Sequence, residues 1–388
     1  MNRLIVILIL ILGAAGLGVM MLSNQGENNE PILAVVDYTV SPTNTSDVDG
    51  VALVDLNPNS ETFGEIVQRV DIGAGVVPHH PYYNRDKTKL YTTALLGDEL
   101  YAIDVHDDRI DSIRALDTGG CIVGEDLYFS KDETKFYLTC MGSSTVLVFD
   151  AKTDQLIEEI SAPAPADAFI KYPHGIAVDE KLDRMIVTET VSPALDDPGA
   201  SVTVIEFSTG KVLSTIPVAK NGDNRGAPVE VVFHPNGKVA YLTGMLEASL
   251  WVLVWNEQTG TFDAVLVDDG EGRGESWPLE PLFGPDGNLY VSWALPGHVN
   301  VYNVNNPEQP KLIRTIKTDK GAHHVDFSKD GKYMFVQNNM LNLEGMDAGT
   351  ISVVELKSGN VVGTVNSFLD ANLRAESMIL LGGGAHSH

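Results

Sequence analysis

Ala322-His323-His324-Val325-Asp326-Phe327 runs into the turn Ser328-Lys329-Asp330-Gly331, and this strand–turn unit returns along most of the 388-residue chain. Earlier copies open at Pro78-His79-His80-Pro81-Tyr82-Tyr83, Glu125-Asp126-Leu127-Tyr128-Phe129 and Pro173-His174-Gly175-Ile176-Ala177-Val178. Two more open at Pro228-Val229-Glu230-Val231-Val232-Phe233 and Pro278-Leu279-Glu280-Pro281-Leu282-Phe283. After each opening comes a Gly, Asp or Asn turn and a second short apolar run, such as Lys135-Phe136-Tyr137-Leu138-Thr139 or Val239-Ala240-Tyr241-Leu242-Thr243. Short alternating runs bounded by turn residues, with no amphipathic helix between them, predict an all-β chain. A period of roughly 45–55 residues is the spacing of propeller blades.

The two ends of the repeat complete the picture. Ala34 to Ile72 holds the outer strands of one further blade, including Gly50-Val51-Ala52-Leu53-Val54-Asp55, and Ala375-Glu376-Ser377-Met378-Ile379-Leu380 is an opening strand without partners. An incomplete first blade and a stray last strand predict a seven-bladed β-propeller over 34–381, closed by the C-terminal strand, because closure removes unpaired sheet edges. In front of it, Leu4 to Leu22 is an uncharged apolar run of 19 residues after Asn2-Arg3. That is long enough to span a bilayer. Residues 1–22 are therefore expected to be a transmembrane anchor, or alternatively a signal peptide, with 23–33 a polar tether and everything after Ser23 extracytoplasmic. Residues 382–388, Gly-rich and ending in His386 and His388, are expected to be a flexible tail.

The net charge of −27 excludes a phosphate backbone as partner and reads as a solvated acidic surface, with a negative field that concentrates cations. Gly270-Glu271-Gly272-Arg273-Gly274 lacks the strand–helix context of a phosphate loop. No Gly-x-Ser-x-Gly elbow occurs to support an α/β-hydrolase.

The openings with Asp-Gly turns and Leu-Tyr-Val-Ser/Thr second strands resemble the YVTN-type β-propeller repeat. Pro228-Val229-Glu230-Val231-Val232-Phe233-His234, Ser249-Leu250-Trp251, Met185-Ile186-Val187-Thr188-Glu189 and the paired histidines more closely resemble the selenium-binding protein/methanethiol oxidase family of copper propellers. That resemblance implies a copper-dependent oxidoreductase acting on a small thiol or similar reductant.

In a propeller the opening strand lies beside the central axis, so the first residues of these strands crowd one mouth of the channel. They are His79-His80, Glu125-Asp126, His174, Glu230, Glu280, His323-His324 and Glu376, in a chain with only ten histidines. Imidazoles with carboxylates suit copper, zinc or iron, and carboxylates alone suit calcium. The expected metal ligands are His79, His80, His174, His323 and His324, with Glu230 and Glu280 as catalytic carboxylates. Because successive strand residues point to opposite faces, only one histidine of each pair is expected to face the axis. Glu125, Glu189, His298, Cys121 and Cys140 are expected around the same mouth. The two cysteines form either a disulfide bracing it or thiolate ligands. A lone His174 reads equally well as a core histidine bonded to a loop, and His106 and His234 read as surface residues. The long connections Thr188–Ala200 and Asn338–Gly349 are expected to cap the mouth. Two other functions compete with the copper reading. One is a lactonase-type hydrolase with a divalent ion on Glu125, Glu230, Glu280 and Asn338. The other is a binding scaffold with no chemistry.

Overall fold

The structure is a computed structural model that describes residues 29–41, 47–96, 100–106, 108–161, 170–222 and 225–382. Seven four-stranded antiparallel sheets form the blades of a propeller. Blades 2 to 7 are each one continuous segment, beginning at Pro78, Gly124, Pro173, Pro228, Ser276 and Ala322. Blade 1 is composite. Its inner strand is Leu373–Leu380, which pairs antiparallel with Leu33–Val40, and Asp49–Asp55 and Ile66–Gly73 complete the sheet. The ring closes as the sequence predicts. The apolar run Leu4–Leu22 lies outside the described residues, among which no helix is long and apolar enough to cross a membrane.

What holds the blades together is apolar packing between their faces. Separate buried clusters sit at successive blade junctions. One, around Tyr91, Phe136 and Phe149, joins blades 2 and 3, and another, around Tyr38, Phe335 and Phe368, joins blades 7 and 1. The Phe136 and Phe149 rings stack with centroids 4.7 Å apart. Each such side chain removed from water contributes about 1.5–3 kcal/mol, so the junctions rather than the axis carry the stability. The inner strands are buried along their length, as in Pro78–Tyr83, Gly124–Phe129 and Ala322–Phe327.

The inner strands share one irregularity. In blade 2, Pro78 pairs with Ala94 but Pro81 pairs with Thr92, so three steps on the inner strand match two on its neighbour. The same bulge falls between Gly124 and Leu127, Pro173 and Ile176, Pro228 and Val231, Pro278 and Pro281, and Ala322 and Val325. In blade 1 it falls at Glu376, between Ala375 and Ser377. A bulge breaks the alternation of side chains and re-aims them.

Side-chain groups on the second strands hold these bulges. Thr188 Oγ1 accepts the Gly175 N–H (2.7 Å) and donates to the Val229 carbonyl of the next blade (2.6 Å). Thr139 does the same for Asp126 N–H (2.9 Å) and the His174 carbonyl (2.6 Å). Thr243 does so for Glu230 N–H (3.3 Å) and the Leu279 carbonyl (2.7 Å). In blade 7 a longer side chain takes over, with Gln337 accepting from His324 N–H (3.3 Å) and donating to the Ala375 carbonyl (2.7 Å). The recurrent Thr of the second strand therefore satisfies the backbone groups that a bulge leaves without ladder partners and ties each blade to the next.

Candidate metal centre

The bulges bring both histidines of each pair into one cluster. The His79 and His80 rings stack 4.0 Å apart, and those of His323 and His324 lie 4.1 Å apart. His80 is the hub, with His324 at 4.9 Å, His174 at 5.5 Å and His323 at 6.1 Å. The expectation that only one histidine of each pair faces the axis is thus wrong. Strict alternation holds for a regular strand, and positions 79–80 and 323–324 are the extra residues of a bulge.

Carboxylates from other blades meet these rings. Glu125 Oε2 lies 3.5 Å from His174 Nε2 and 3.8 Å from His79 Nε2. Glu230 Oε1 is 2.8 Å from His174 Nδ1. Glu280 Oε1 is 3.7 Å from His323 Nε2 and 3.9 Å from His324 Nδ1. All are withdrawn from solvent: His80 is 1 % exposed, His79 2 % and His174 8 %. Burial, and then the neighbouring imidazoles, hold His79 and His80 well below the usual histidine range. Burial pushes the Glu125 carboxyl up to about 7 and the Glu280 carboxyl well above its ordinary value.

Two overlapping groups have donor atoms all within 4.8 Å of one another: His79, His80, Glu125 and His174, and His80, Glu280, His323 and His324. Buried polar groups are normally hydrogen-bonded, yet neither ring nitrogen of His80 and neither oxygen of Glu125 has a hydrogen-bond partner among the described residues. Packed imidazoles, with both nitrogens of His80 unengaged among the described residues, are what a nitrogen-preferring transition metal requires. The donor set fits copper, zinc or iron, and is too rich in nitrogen for calcium.

Asp126 anchors one side of the cluster. Its carboxylate accepts the N–H groups of Leu127 and Ile176, both at 2.8 Å. The Tyr82 hydroxyl and the Glu230 carboxyl also hydrogen-bond to it. Burial, and then the neighbouring Asp126 carboxyl, push Glu230 well above the usual carboxylate range. Tyr82 was not among the residues singled out from sequence. It lies two positions beyond His80 on the same inner strand, with ring centroids 6.1 Å apart, and that spacing was the available signal.

Other expected members lie elsewhere. Glu189 accepts a hydrogen bond from the Ser201 hydroxyl at the end of its own blade's second strand. His298 stacks on Trp293 (6.0 Å) and faces Glu275 (3.4 Å), away from the histidine cluster. Cys121 and Cys140 form a disulfide, so neither is a thiolate ligand. Asn338 gives its amide to Val336, Thr350 and Ser352 within its own blade and is not a partner of Glu125, Glu230 or Glu280.

The mouth over blades 4 to 7 is apolar. Val191, Met245, Met340 and Met346 pack on Val229 and Leu279, the bulge residues that replace histidine there. The two long connections thus supply part of a cap. On the opposite face a cavity of about 440 Å³ rises between blades 4, 5 and 6 from the turn at His234–Gly237 to Glu230 and Glu280. Arg85, Lys131 and Lys181 border it.

Comparison with known proteins places this geometry among relatives. The family model for "Lactonase, 7-bladed beta-propeller" matches residues 200–361. A methanethiol oxidase of Ruegeria pomeroyi is 23% identical over 329 residues, covering 76% of this chain and 75% of that one. The resemblance read from the sequence holds. Among solved structures, a hypothetical selenium-binding protein from Sulfolobus tokodaii superposes with a TM-score of 0.73 at 15% identity, over 93% of this chain and 96% of that one. A periplasmic gluconolactonase of Pseudomonas aeruginosa gives 0.62 at 14% identity, over 86% and 95%. At these identities the structural likeness speaks to the fold alone.

Proposed function

We propose that the protein is an extracytoplasmic copper-binding propeller that oxidises a small thiol or similar reductant, held at the membrane by Leu4–Leu22. The single observation that carries this reading is the convergence of five buried histidines on one point of the axis, with Glu125 and Glu280 against them. Similarity to methanethiol oxidase supports the choice of metal and substrate class. The Cys121–Cys140 disulfide supports an oxidising compartment.

His79, His80, His174, His323 and His324 would hold the ion, which when bound supplies one-electron and dioxygen chemistry. The protein's own contribution is to keep those imidazoles neutral and oriented, and to exclude bulk water with the Met245–Met340–Met346 cap. Glu230 and Glu280 stand where the cavity meets the cluster. There they are placed to take or return a proton from a reductant arriving through it.

The test is elemental analysis and thiol-dependent oxygen uptake of full-length protein carrying no affinity tag. Wild type should retain copper, and alanine at His79, His80, His323 or His324 should lower its copper content and cut uptake at least tenfold. Sub-stoichiometric metal that ignores these substitutions overturns the reading. A second reading, a metal-dependent lactonase-type hydrolase, draws on the family match over 200–361. It predicts calcium-dependent lactone hydrolysis that is lost in Glu230→Gln while thiols are left untouched.

A further inference from the structure

We infer that the cluster is built for two metal ions, with His80 as the ligand they share. This rests on the metal-binding reading above and goes beyond it in number and arrangement.

The donors are too many for one ion. The two four-residue groups together contain seven residues: His79, His80, Glu125, His174, Glu280, His323 and His324. Copper and zinc bound by imidazole take about four or five ligands, so a single ion leaves a buried remainder of unused donors. The groups also come from different sectors of the ring. One is assembled from blades 2, 3 and 4, the other from blades 2, 6 and 7, and His80 alone belongs to both.

His80 has the chemistry for a shared position. Its ring centroid is 5.5 Å from that of His174, in one group, and 4.9 Å from that of His324, in the other. Neither of its nitrogens has a hydrogen-bond partner among the described residues. A metal-ligating histidine almost always gives its second nitrogen to a carboxylate or carbonyl that fixes the tautomer. His80, 1 % exposed, has no such partner. A second metal in that place gives both nitrogens a bond, and the ring proton it displaces passes to solvent.

Copper stoichiometry and spin counting on the full-length chain with His386→Ala and His388→Ala, which removes the tail imidazoles, test the inference. After Cu(II) loading and desalting, about two ions per chain are expected. The integrated electron paramagnetic resonance signal should fall several-fold below the copper content, because ions sharing an imidazole couple magnetically. His174→Ala and His323→Ala, each disabling one group, should retain about one ion per chain with full signal intensity. One ion per chain with full intensity in the unsubstituted cluster overturns the two-ion inference and leaves the metal-binding reading standing. No retained copper overturns both. The wild-type cluster decides the matter even if a substituted chain fails to fold.

Discussion

Asp37 offers a measurement of how the ring is closed. It lies on the strand next to the closing strand, fully buried, and its Oδ2 accepts hydrogen bonds from Thr92 of blade 2 (2.6 Å) and Ser377 of the closing strand (2.7 Å). Burial raises its pKa from 3.8 to about 7, outweighing both hydroxyl bonds. Between those values the folded chain keeps a proton that the unfolded chain has released, so this group lowers stability as pH rises from about 4 to about 7. At about 1.4 kcal/mol per tenfold in the equilibrium, the full span is worth on the order of 4 kcal/mol. Asp37→Asn keeps an acceptor for both hydroxyls and cannot ionise. Its amide nitrogen would take the place of Oδ1, which has no partner, at a roughly constant 1–3 kcal/mol. The slope rather than the intercept therefore carries the prediction. In urea unfolding of metal-free protein followed by circular dichroism, the stability of Asp37→Asn minus that of wild type should climb by several kcal/mol between pH 4 and pH 8. Parallel curves would refute the reasoning.

Three further outcomes follow from the bulges and the mouth. Thr188→Val removes the hydroxyl bridging Gly175 N–H and the Val229 carbonyl, and should lower unfolding free energy by about 1–3 kcal/mol in the same urea assay. Gly175→Ala puts a Cβ 2.6 Å from the Val229 carbonyl and 2.7 Å from Glu230 Oε2. It should cost about 1–3 kcal/mol and weaken copper retention by pushing Glu230 off His174, both read against wild type by urea unfolding and elemental analysis. Reduction of Cys121–Cys140, which are 19 residues apart, should cost about 3 kcal/mol and leave copper content unchanged, since neither sulfur belongs to the donor groups.

The seven blades, the shared closing strand and the column of opening residues were legible because each rests on a period repeated along the chain. His79, His80, Glu125, His174, Glu280, His323 and His324 all come from that column, and the structure brings them together. Whether both members of a histidine pair point inward was not legible. Alternation is a property of a regular ladder, and the bulge between Pro78 and Pro81 is a property of pairing with the neighbouring strand. The hint lay in that neighbour, where Thr139, Thr188 and Thr243 recur with no surface role, but a hydroxyl's partner cannot be read from one strand. Glu189, His298 and Asn338 were misplaced for a related reason. Lying on a second strand or starting a third brings a residue to the mouth's face of the ring, yet its side chain is spent on Ser201, on Glu275 or on Thr350 within its own blade.

The composite first blade also has a consequence in time. Every donor of the two groups lies between His79 and His324, so all seven have left the ribosome before the closing strand Leu373–Leu380 is made. That strand inserts beside Leu33–Val40, in the blade that stands between those carrying His79 and His80 and those carrying His323 and His324. The ligands are synthesised early and sealed late. If the centre holds the ion proposed above, the interval between those events is when the axis is most open to it.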